Sequence, residues 1–151
     1  MVRPIIKNKF FIIFSIFIYC LVIPGCNDTS KLGIIIKDAH LYLPLKGTDM
    51  SAGYLRLENN QIKKIVISSI ECEKVKASIH ETILNSDGVM KMKKLERFAV
   101  EAESNLNFMP GGKHVMFSGL KEFKESILVC TFLSNTGIEI PFTFEVLKNG
   151  R

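Results

Sequence analysis

No stretch after the N-terminal segment repeats apolar residues at the 3.6-residue spacing of an amphipathic helix, which excludes a helical bundle. Basic residues are not concentrated either. Of the 20 Lys and Arg residues, Arg3, Lys7 and Lys9 lie in the N-terminal segment, and without them 17 basic residues stand against 15 acidic ones, a balance of +2. A nucleic-acid surface needs clustered positive charge, so no nucleic-acid partner is expected. Histidines number only three, and no spacing of Ser, His and Asp, or of paired carboxylates, assembles a catalytic group. The expectation is a protein that is not an enzyme. Internal repeats and low-complexity tracts are lacking, and so is tryptophan. Charged residues make up 23% and hydrophobic ones 47%, a balance that suits one compact domain and not a disordered chain. At 151 residues the chain is long enough for a real core.

What is present begins with an export signal. Arg3, Lys7 and Lys9 form a basic start, and Phe10 to Ile23 is apolar apart from Ser15 and the weakly polar Tyr19 and Cys20. That is the pattern of a secretory leader. Its end, Ile23-Pro24-Gly25-Cys26, resembles a bacterial lipobox, in which the cysteine becomes the lipidated N-terminus. An ordinary cleaved signal and an uncleaved anchor are the alternatives, and all three place the domain outside the cytoplasm. The expected division is residues 1–25 as signal peptide, 26–31 as a short tether carrying lipid at Cys26, and 32–151 as the folded domain. A lipidated Cys26 would hold the domain close to a membrane surface.

From Leu32 onward, short β-branched or alternating runs are separated by turn residues, the pattern of an all-β domain. The runs are Gly33 to Leu43, Gly53 to Glu58, Ile62 to Ile70, Val75 to Leu84, Val89 to Leu95, Phe98 to Ala102, Asn105 to Phe108, His114 to Phe117, Ser126 to Leu133 and Ile138 to Leu147. Their spacing predicts a β-sandwich or Greek-key barrel. Hairpins are expected between the second and third runs, around Asp87-Gly88, and around Ser134 to Gly137. Lys121 to Lys124 is expected to form a helical turn.

The chemistry gathers around Pro110-Gly111-Gly112-Lys113-His114-Val115-Met116. Side chains two apart in a strand share a face, so His114 and Met116 point the same way. Met90 and Met92 likewise share a face, and His80 lies on the strand that pairs with theirs across the Asp87-Gly88 turn. Two imidazoles and one or two thioethers thus converge on one candidate site, with Met90 and Met92 both open as the second sulfur donor. Imidazole nitrogen with thioether sulfur is a soft donor set of the kind that selects Cu(I). A single methionine in a strand is usually core filler, and Met50 and Met109 read that way; His40 reads as a surface or capping residue.

His80-Glu81, Gly88 to Met92 and Pro110 to Met116 together resemble the periplasmic copper chaperone family often called PCuAC. Its motif runs His, an often-Met position, ten residues, Met, twenty-one residues, then His-x-Met. Here ten residues separate Glu81 from Met92 and twenty-one separate Met92 from His114. Asp38-Ala39, Ala52-Gly53-Tyr54-Leu55 and Phe142 to Val146 extend the resemblance over nearly the whole domain. It implies a cupredoxin-like Greek-key β-sandwich and a Cu(I) site of His80, Met92, His114 and Met116. Glu81 replaces the often-Met position with a carboxylate too hard to favour Cu(I). Some members carry a His- and Met-rich tail; the sequence closes on Lys148-Asn149-Gly150-Arg151, so one Cu(I) site is expected. The resemblance implies a periplasmic carrier, here a membrane-anchored lipoprotein. It would deliver copper to a receiving protein, the copper subunit of cytochrome c oxidase with its binuclear centre or another copper chaperone.

Cys72 and Cys130 form an even pair in an exported domain, and a disulfide and two separate thiols are both open. An electron-transfer cupredoxin would need a Cys ligand with His and an axial Met, and no His follows Cys130. That rival and a structural lipoprotein with a degenerate site are the alternatives to a copper carrier.

Overall fold

The computed structural model describes residues 33–148; the signal, tether and Cys26 expectations lie outside them. Within this range the chain forms ten strands and no helix. They are β1 (Ile34–Tyr42), β2 (Met50–Asn59), β3 (Ile65–Cys72), β4 (Lys76–Leu84), β5 (Met90–Lys94), β6 (Phe98–Val100), β7 (Ser104–Phe108), β8 (Lys113–Ser118), β9 (Ile127–Ser134) and β10 (Glu139–Leu147). All belong to one curled sheet in the order β5-β4-β8-β7-β2-β1-β10-β9-β3-β6, with β8 also paired to β2. The all-β, cupredoxin-like expectation holds. Alternation along the strands explains the closure. In β2 the residues Gly53, Leu55, Leu57 and Asn59 are buried while their neighbours are not, and in β9 Leu128, Cys130, Phe132 and Ser134 are buried in the same rhythm. Phe117, Phe132, Phe144, Leu41, Leu57 and Ile67 fill the interior, and edge-on contacts such as Phe117 with Phe144, at 5.1 Å between ring centres, follow the geometry aromatic rings prefer.

Two expectations are corrected. The second and third runs do not form a hairpin: β2 pairs with β1, β7 and β8, whereas β3 pairs with β9 and β6. The physical reason sits at Asn59, buried at the end of β2. Its side-chain nitrogen donates toward the carbonyl oxygens of Lys63, Val100 and Glu101, and its oxygen accepts from the Gln61 amide. These bonds satisfy a polar group in the interior and carry the chain across to the far strands. Lys121 to Lys124 is not helical; a single turn, with Phe123 N–H donating to the Leu120 carbonyl at 3.1 Å, occupies that stretch. The hairpins β4–β5 and β9–β10 form as expected.

Cys72 and Cys130 are directly opposite one another on β3 and β9 and are joined as a disulfide. The open question of the cysteine pair is thereby answered, and among the described residues no cysteine thiol is left.

Candidate metal centre

Three adjacent strands, β5, β4 and β8, build the site. On β8, Val115 and Phe117 are wholly buried in the core, so His114 and Met116 project from the opposite face. On β4, Ile79 turns into the core, which puts Ser78, His80 and Thr82 on that same opposite face. The register then does the positioning. His80 stands directly opposite His114, and Ser78 directly opposite Met116. On the other side of β4, Thr82 faces Met92, His80 faces Lys94 and Leu84 faces Met90. Met92 is therefore the diagonal neighbour of His80, and Met116 is diagonal as well. Diagonal neighbours lie about 7–8 Å apart, within reach of long side chains. Met90 shares the face but sits one pleat farther from His80.

The two rings are 6.0 Å apart between centres and inclined by 30°. His114 is only 5% exposed, and its Nδ1 donates to the Gly112 carbonyl at 3.1 Å. A carbonyl only accepts, so Nδ1 carries a proton, and in the neutral ring the lone pair is then on Nε2, where a ligand can reach it. His80 Nε2 meets the Ser78 hydroxyl at 3.0 Å. Its pKa is lowered from 6.5, first by burial, then by the neighbouring His114 and Lys94, which favours the neutral ring that a metal needs.

The turn before His114 is set by local chemistry. Gly112 N–H donates to the Met109 carbonyl at 3.0 Å, Pro110 takes the second turn position, and Gly111 takes the third with φ of +79°. Pro then Gly in those positions is the type II pattern. Glu81 points away from the site, because it alternates with His80, and its carboxylate pairs with Lys113. Among the described residues no group of three or more His, Cys, Asp and Glu is arranged to hold a metal. The donors that this face presents are two imidazoles and thioether sulfur, a set matched to a soft ion. Ser78, which orients His80, was missed by the sequence reading; its place two residues before His80 in an alternating strand was the available signal. His40 lies apart, with Nδ1 donating to the Asp38 carbonyl at 2.8 Å and its ring against Tyr42 and Tyr54.

A cupredoxin-like curled sheet bearing paired histidines and methionines on one face defines the class of this domain. Residues 34–151 match the sequence profile of the LpqE-like lipoproteins, and the chain belongs to that family. No curated protein matches it. Among solved structures it is similar to the copper-bound PCuAC domain from PmoF2, with 15% identity and a TM-score of 0.62 over 78% of this chain and 94% of that one. It is also similar to apo-DR1885 from Deinococcus radiodurans in solution, with 21% identity, a TM-score of 0.59, and 87% and 89% covered. The CuI form of DR1885 gives 22%, 0.59, and 76% and 78% covered. At these identities the likeness establishes the fold.

Proposed function

We propose that this domain is a copper metallochaperone, a carrier and not an enzyme, that binds one Cu(I) as cargo through His80, Met92, His114 and Met116. The observation that carries the reading is the register: His80 directly opposite His114, with Met92 and Met116 each one diagonal from His80 on the same face. The copper-bound PmoF2 domain and CuI-DR1885 support copper as the ion for this fold. Thioethers and neutral imidazoles need no free thiolate, so the site suits an oxidising compartment in which cysteines pair, and Cys72 and Cys130 are paired. Met92 is preferred to Met90 because it is the nearer to His80 along the strand.

The LpqE-like lipoprotein family supports an exported protein. Within it we assign residues 1–25 to the signal peptide, 26–31 to a tether lipidated at Cys26, and 32–151 to the carrier domain at a membrane surface in the periplasm. The copper-receiving protein is the copper subunit of cytochrome c oxidase or another copper chaperone. The electron-transfer alternative loses support because the described cysteines are in a disulfide and supply no thiolate for a blue-copper centre.

A competition titration with a Cu(I) chelator tests the reading. The wild type should bind one equivalent, and the combined Met92→Ala, His114→Ala, Met116→Ala variant should bind none while keeping its β-rich circular dichroism. Stoichiometric binding by the folded triple variant refutes the ligand set.

A further inference from the structure

We propose that Met50 is a further Cu(I)-binding thioether, placed to take the ion from Met116 and present it at the open groove beside β2. The inference rests on the reading of the His80–His114 face as a Cu(I) site. Taken alone, Met50 reads as filler. The register says otherwise. β2 runs antiparallel to β8, with Ala52 opposite Met116 and Met50 opposite Ser118. Residues 50, 52 and 116 therefore share the face that carries His114, and Met50 is diagonal to Met116 just as Met92 is diagonal to His80. Diagonal side chains of this length meet across a strand pair, and methionine has the unbranched, adaptable chain to do so. The residue flanked by both methionines is Ala52, whose methyl leaves room for two sulfurs to approach.

Burial separates this placement from packing. A methionine that fills a core is covered, whereas Met50 is 58% exposed. It lines an open apolar groove with Tyr42, Leu45, Ala52 and Tyr54. The face thus reads, from the sheet edge inward, Met90 and Met92 on β5, His80 on β4, His114 and Met116 on β8, then Met50 on β2. A hand-off from Met116 to Met50 forms one copper–sulfur bond as another breaks. Both donors are neutral thioethers, so no proton and no electron moves. An exposed second thioether also gives an incoming donor a copper atom it can reach before the imidazoles let go.

Methyl-resolved NMR of protein labelled at the methionine methyl carbons, titrated with Cu(I) under reductant, tests this. Signals are assigned by single Met→Leu variants. The Met92, Met116 and Met50 methyls should all shift. Shifts at Met92 and Met116 with Met50 stationary overturn this inference and leave the parent reading standing; no methyl shift at all overturns both. In Met50→Leu, equilibrium affinity should fall by less than in Met116→Leu while withdrawal of Cu(I) by a chelator slows several-fold. An unchanged withdrawal rate, or an affinity loss as large as that of Met116→Leu, overturns the hand-off.

Discussion

At His80, burial, the His114 ring and the Lys94 ammonium all hold the imidazole pKa below 6.5. The unfolded chain therefore takes up this proton more readily than the folded one. The stability that depends on neutral His80 is complete above about pH 6.5 and is lost as pH falls through the lower folded value. Copper binding should share that direction, because protons compete for the same lone pairs. Replacing Lys94 by Gln removes a facing cation, so the His80 titration followed by NMR in metal-free protein should move upward, toward 6.5; a downward or absent shift would contradict the electrostatic account. At this scale much was legible in advance. Strand alternation alone put His114 with Met116 and left Glu81 beside His80 in sequence. Alternation also turned Glu81 to the opposite face, but that Lys113 meets it there, and that Met50 lies on the site face, required the pairing of strands distant in sequence.

The site face is only as well placed as the strands beneath it, and β2 shows how close the tolerance is. A methyl added at Gly53 would lie 2.6 Å from Phe117 and 3.0 Å from Phe144, the ring pair at the centre of the core. Gly53→Ala should therefore cost about 1–3 kcal/mol, the usual range for overpacking, read as a lower midpoint in urea. Because Phe117 follows Met116 directly, the same variant should weaken Cu(I) binding; unchanged stability would show that the rings move aside freely. The local elements were readable from residues close in sequence. Asn85 to Gly88 turns the β4–β5 hairpin, and Pro110-Gly111 turns the chain into β8. The failed hairpin between β2 and β3 marks the boundary of that legibility. Asn59 is followed by a second asparagine between those two runs, a local turn signal, and its bonds to Val100 and Glu101 involve a segment some forty residues away.

Across the whole molecule, the fold class followed from strand spacing, whereas the single curled sheet and its order did not, because β1–β10 and β4–β8 are pairings that local signals do not carry. The Cys72–Cys130 bridge spans 58 residues, and closing a loop of that size restricts the unfolded chain by about 4 kcal/mol on the chain-entropy account. A Cys72→Ser, Cys130→Ser variant should lose stability on that order in a denaturant titration yet still bind one Cu(I), since β3 and β9 are not strands of the metal face; loss of copper in a folded variant would place the cysteines in the site. The central claim is that imidazole and thioether side chains from β4, β5 and β8 share one Cu(I). X-ray absorption at the copper edge of the loaded protein tests it most directly. Copper in the wild type should show both nitrogen and sulfur neighbours, and that signal should be lost in the Met92, His114 and Met116 triple variant. A shell of nitrogen and oxygen alone, or one unchanged in that variant, would contradict it.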